Sequence, residues 1–92
     1  MADTPIPLGQ SIEQISDLVR TMARALVDQP ESVQVEHEHR EAEIVLRLVV
    51  PEHEVGKLIG KQGRTARSLR SIMGAAANKL HLRCALDIRA AE

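Results

Sequence analysis

Residues 56–63 read Gly-Lys-Leu-Ile-Gly-Lys-Gln-Gly, residue types that together suit one kind of chemistry, the capture of a phosphate. Glycine costs backbone entropy, so three within eight residues indicate a chain that turns tightly or admits another molecule close to its main chain. Lys57 and Lys61 supply countercharge, Lys61 as a mobile point charge between Gly60 and Gly63. Gln62 adds polar contacts, and Leu58 and Ile59 offer an aliphatic floor for bases. A helix opening at Arg64-Thr65 would aim unpaired amides at the same place.

Other chemistries fit the chain less well. A Walker loop needs Ser or Thr after the Gly-Lys pair and a glycine five positions before the second one, and this sequence has Gln62 and Val55 there. His37, His39 and His53 lack a nearby cysteine and sit among glutamates, so they read as solvated histidines and no metal site is expected. His81 reads as a helix-end cap or dipole complement. With no nucleophile and base arranged for hydrolysis, the expected chemistry is binding, without a cofactor.

At 92 residues and 43% apolar content the chain is expected to form one small domain, with no membrane span or secretory leader, in the cytoplasm. Its single cysteine, Cys84, lies in an alternating apolar run and reads as a small buried hydrophobe. Phe, Tyr and Trp are all absent, which removes the stacking platforms of many single-strand-binding sheets. The net charge of −1 hides a split: residues 1–54 carry −7 and residues 55–92 carry +6. Between Val55 and Leu86 seven basic residues stand with no acidic one, enough to focus a positive field on one side of a small fold. Arg64 adjoins the loop; for Arg70 a solvated helix face and an RNA contact are equally open.

These residues must be positioned by elements that the pattern predicts. Residues 1–10, with Pro5, Pro7 and Gly9, read as a flexible lead-in. Ser11 and Gln14 form a capping-box pattern opening a helix to about Val27, with Ile12, Ile15, Leu18/Val19, Met22 and Leu26 at helical spacing. A short strand from Val33 ends near Glu38, and His39-Arg40-Glu41 turns into a central strand with Ile44, Leu46, Leu48 and Val50 on one face. Pro51 opens a helix over Glu52–Ile59, with Val55, Leu58 and Ile59 turned inward. After the loop, Ala66, Leu69, Ile72/Met73, Ala76, Ala77 and Leu80 mark a helix from Arg64 to Lys79, where Gly74 and the alanines suggest close packing. A strand over Leu82–Arg89 completes an α-β-β-α-α-β order over residues 11–89, with residues 90–92 as a tail.

Val55-Gly56-Lys57-Leu58-Ile59-Gly60-Lys61-Gln62-Gly63-Arg64 resembles the G-X-X-G signature of a KH domain, a loop that clamps about four nucleotides. The element order is similar to the bacterial type II KH arrangement, and the match spans nearly the whole chain. Among KH proteins it most resembles the free-standing KhpA (YlqC) family. The resemblance implies an α+β fold, with helices packed on one face of a three-stranded sheet, that binds single-stranded RNA as an RNA chaperone or post-transcriptional regulator. It also implies a KhpB (Jag/EloR) partner and a link to cell shape and cell-wall biogenesis. By position, the RNA-contacting residues would be Lys57, Leu58, Ile59, Gly60, Lys61, Gln62, Gly63, Arg64 and Arg67. Ala66 departs from the larger aliphatic residue of many KH domains, implying a shallower groove or space for a base. A different reading is a protein-interaction module whose apolar first helix docks on a second copy or a partner.

Overall fold

A computed structural model describes residues 8–92. The elements are α1 (Leu8–Leu26), a 3-10 turn (Pro30–Ser32), β1 (Gln34–Arg40), β2 (Glu43–Val50), α2 (Glu52–Ile59), a second 3-10 turn (Lys61–Gly63), α3 (Arg64–Lys79) and β3 (Cys84–Ala90). The α2 and α3 boundaries coincide with the expected ones, because Pro51 and the glycines at 60 and 63 punctuate the chain there. The α1 helix instead begins inside the expected lead-in, placing Ser11 within the helix and not at its cap. Residues 1–7 of that lead-in lie outside the described residues.

β2 is the central strand, paired antiparallel with β1 and parallel with β3. A parallel pair cannot be joined by a tight hairpin, so α2, the glycine turn and α3 form the crossover between β2 and β3. Alternation along β2 points Ile44, Leu46, Leu48 and Val50 into the core, where they meet Ile15 and Val19 of α1, Leu58 of α2, and Leu69 and Met73 of α3. The core stripe of α1 continues through Ala23, while Leu26, expected on that stripe, is 42% exposed.

The other sheet face mixes Val45 and Val49 with charged residues. Arg47 lies opposite both Glu36 and Asp87 in the register, and its guanidinium reaches Glu38 at 3.1 Å and Asp87 at 3.7 Å. Hydrogen bonds from Arg47 and Arg40 hold the Glu38 carboxyl below its ordinary pKa. Cys84 proves half-buried against the core, and desolvation, followed by the nearby Glu43 charge, raises its thiol pKa.

β1 extends two residues beyond its expected end, leaving only Glu41 and Ala42 between paired Arg40 and Glu43. β3 starts later than expected because the end of α3 takes up the intervening residues. His81 lies in the left-handed region (φ +59), its amide donating to Asn78 O at 3.1 Å and the Leu82 amide to Ala77 O at 2.8 Å. This is a Schellman closure built on histidine where glycine is usual, so His81 does terminate the helix, through its backbone. Exposed His81 has a Cβ that opposes this conformation. His81→Gly is therefore expected to stabilise the protein by about 0.5–1 kcal/mol in urea denaturation; a loss of stability would show that the imidazole makes a compensating contact.

The outer edge of β3 is also accounted for in part. Arg83 O accepts from the Ile44 amide and the Ala91 amide donates to Val50 O, so odd-numbered residues face β2 and even-numbered ones face outward. The outward carbonyl of Leu86 accepts from Nε and Nη2 of Arg70, each at 3.3 Å. Arg70 thus spans from α3 to the sheet edge, and Ala91, expected in the tail, is tied to β2 by its amide.

Candidate nucleic-acid interface

The α2 helix closes with the Gly60 amide on Gly56 O at 2.8 Å, and Gly60 then turns the chain with φ +76 and ψ 171. A Cβ at this position would lie 2.2 Å from Thr65 Oγ1 and 2.9 Å from the Thr65 amide nitrogen. Glycine is required here twice over, by the dihedral and by the close approach of the α3 N-terminus. Gln62 (φ +59) and Gly63 (φ +74) follow in the left-handed region, with open space around the Gly63 Cβ position. Gly60→Ala should cost roughly 2–4 kcal/mol in urea denaturation, against about 1 kcal/mol for Gly63→Ala; equal costs would contradict the steric account. Gly56 and Gly74 differ from both, lying inside helices with no atom within 4 Å of where a Cβ would stand, so neither turns the chain nor secures close packing.

The side chains around the turn divide into three groups. Lys61 and Gln62 are exposed at its tip. Arg64 and Arg67 reach back to it, Arg64 Nη2 donating to Gln62 Oε1 at 3.1 Å and Arg67 Nη2 to the Gln62 main-chain oxygen at 2.7 Å. The second bond steadies a residue whose left-handed backbone is otherwise disfavoured, so Arg67 organises the loop as well as adding charge. Gly63, the N-cap of α3, offers no side-chain cap, and the Arg64 amide, expected to face an anion, instead donates to Lys61 O within the turn. Ile59 is half-buried at the end of α2, beside the turn.

Two expected contact residues are placed elsewhere. Leu58 is fully buried and supports the turn from within the core, out of reach of a base. Lys57 Nζ lies 2.9 Å from Glu54 Oε1 and 3.0 Å from Asp28 Oδ2, so its charge is matched by carboxylates and is not countercharge for the loop. Hydrogen bonds with Glu54 and then Asp28 raise the Lys57 pKa. Ala66, expected to shape the groove, is also buried, at 2% exposure.

Glu54 escaped the sequence reading and is central to how α2 is held. Its carboxylate is fully buried and accepts from the amides of Gln29 at 2.8 Å and Asp28 at 3.3 Å as well as from Lys57. Burial by itself would raise the carboxyl pKa, but the bonds from Lys57, Gln29 and Asp28 outweigh it and the net shift is downward. The available signal was position: Glu54 stands four residues before Leu58 and shares its inward face.

Among the described residues, Arg20, Arg40, Arg47, Lys57 and Arg89 all have a carboxylate within 4.0 Å. The other seven, Arg24, Lys61, Arg64, Arg67, Arg70, Lys79 and Arg83, have none. Four of these seven, Lys61, Arg64, Arg67 and Arg70, lie within ten residues on the turn and the first half of α3.

An α-β-β-α-α-β chain with a left-handed glycine turn joining its second and third helices defines a type II KH domain. The model of the KhpA/KhpB KH-domain family matches residues 16–88, and the chain belongs to that family. RNA-binding protein KhpA of Halalkalibacterium halodurans is 46% identical over 71 residues, covering 77% of this chain and 93% of the relative. RNA-binding protein KhpA of Caldanaerobacter subterraneus subsp. tengcongensis is 42% identical over 74 residues, covering 80% and 99% respectively. Among solved structures, Era in complex with MgGDPNP and nucleotides of 16S ribosomal RNA superposes with a TM-score of 0.58 at 18% identity, over 83% of this chain and 29% of that one. Aquifex aeolicus Era bound to GDP·AlF4− gives a TM-score of 0.60 at 19% identity, over 95% and 32%. The Era likenesses establish the fold alone.

Proposed function

We propose that this chain binds single-stranded RNA at the Gly60–Gly63 turn and acts in the cytoplasm as an RNA chaperone or post-transcriptional regulator, without catalysing a reaction. The observation that carries this reading is that Lys61, Arg64 and Arg67, all exposed and none with a carboxylate partner, surround a turn with open space at Gly63. The KhpA relatives bear the name RNA-binding protein, which supports the same assignment. No aromatic side chain is available for stacking, so contacts to sugar and phosphate dominate and sequence preference is weak. No described helix is long and apolar enough to cross a membrane. A titration of labelled single-stranded RNA at several salt concentrations tests the proposal. About three phosphate contacts should give a log–log salt slope near roughly −2, and absence of binding or a flat slope would refute it.

A second reading, association with another protein, is favoured by a separate observation. Leu26 and Ile72, 42% and 50% exposed, line one apolar groove between α1 and α3 together with Met22 and Leu69. Such a surface suits a second copy of the chain or a KhpB-type partner, and a link to cell shape and cell-wall biogenesis would run through the latter. Sedimentation of the isolated protein and of its mixture with such a partner tests it; a monomer that ignores the partner would exclude this reading.

A further inference from the structure

We infer that the RNA-contacting surface continues past the turn along the solvent-facing ridge of α3, where Arg64, Arg67, Ser68 and Ser71 form a second site for phosphodiester groups. The inference rests on the RNA reading above and extends it from a four-nucleotide clamp to a longer track.

The four positions recur at i, i+3, i+4 and i+7, which places them on one helix face, and all four are exposed. The opposite face is fixed in the core by Ala66, Leu69, Met73 and Ala77. Arg64, Arg67, Ser68 and Ser71, with Ile72 at the rim, line a shallow groove of about 540 Å³. Its charge sets it apart from two other grooves that contain arginine. The groove at the hairpin end, with Arg40 and Arg83, also holds Glu41 and Glu43, and the one between α1 and β1, with Arg20, holds Glu13 and Asp17. The α3 groove has no carboxylate in its lining. A polyanion entering it meets guanidinium and hydroxyl donors without a repelling charge.

The groove is continuous with the turn through Gln62, which receives a hydrogen bond from each of its two arginines. A guanidinium carries five N–H donors, so both retain donors for a phosphate oxygen. From Arg64 to Ser71 the helix rises roughly 10 Å, room for one or two phosphates beyond those held at the turn. Ser68 and Ser71 then act as neutral donors that position a backbone already attracted by Arg64 and Arg67.

Labelled oligouridylates of four and eight nucleotides, titrated against the wild-type protein and a Ser68→Glu/Ser71→Glu variant, test the track. An octamer offers five registers for a four-nucleotide clamp, so statistics alone predict about a five-fold gain over the tetramer. The track predicts a gain of roughly 30-fold or more at low salt and a log–log salt slope steeper by about 0.7–1.4. In the variant the octamer-to-tetramer ratio should fall to the statistical value, with the tetramer reporting any general effect of the added charge. A wild-type ratio no larger than statistical, or a large ratio that survives in the variant, overturns the track and leaves the clamp intact. Failure of both oligomers to bind the wild type overturns the RNA reading and the track together.

Discussion

The Lys61→Asp/Gln62→Asp variant is expected to lose single-stranded RNA binding by at least ~100-fold while its thermal unfolding stays within about 2 °C of the wild type. Both side chains are exposed at the tip of the turn, so neither contributes buried area. The substitutions remove one positive charge and add two negative ones where phosphate should lie. Arg64, which now donates to Gln62 Oε1 at 3.1 Å, would meet a carboxylate at that position and turn away from the ligand. Aspartate tolerates the left-handed conformation at position 62, which keeps the fold unstrained. Fluorescence anisotropy with labelled RNA, alongside circular dichroism melting, reads both quantities. Equal affinities in the two proteins would dismiss the turn as the RNA contact.

The second large effect concerns stability and pH. The Glu54 carboxyl pKa is depressed in the fold, so the stability it confers is present above the ordinary carboxylate range and disappears as the pH falls through the folded value. Glu54→Gln retains the volume but points an amide donor into a site of donors, the Asp28 and Gln29 amides and Lys57 Nζ, and removes the buried countercharge. The melting temperature at pH 7 should fall by more than about 5 °C. The acid limb of the pH–stability curve, below the ordinary carboxylate range, should flatten in the variant without vanishing, because the depressed Glu38 carboxyl contributes in the same direction. Superimposable pH profiles for the two proteins would show that Glu54 is not a source of the acid dependence. Lys57 adds the opposite signature: its pKa is raised, so its contribution is lost only on strong alkalinisation.

What the amino-acid order revealed follows from where its strongest signals act locally. Pro51, Gly60 and Gly63 constrain the backbone at their own positions, and α2, the turn and α3 have the expected boundaries. The alternation of Ile44, Leu46, Leu48 and Val50 likewise identified the central strand and its core face. Ser11 misled because capping is weak beside the burial of Ile12, Ile15 and Val19, which is satisfied equally by a helix that begins a turn earlier. The fate of Lys57 was not legible in the turn because it depends on Asp28, distant in sequence, as well as on Glu54. Arg67 was visible as charge, but its bond to the Gln62 oxygen depends on the turn's geometry.

The Arg70 bond to Leu86 bears on how separate molecules avoid one another. β3 is an edge strand, and its outward-facing even-numbered residues offer a row on which a strand from another chain could add. By holding the Leu86 carbonyl, the guanidinium withdraws one acceptor from that row and sets a bulky cation beside the edge. A second molecule approaching in strand register would have to displace it and would bring a like charge of its own. The same side chain that ties α3 to the sheet therefore also works against sheet-to-sheet polymerisation, a hazard for a small protein that keeps part of a strand edge uncovered.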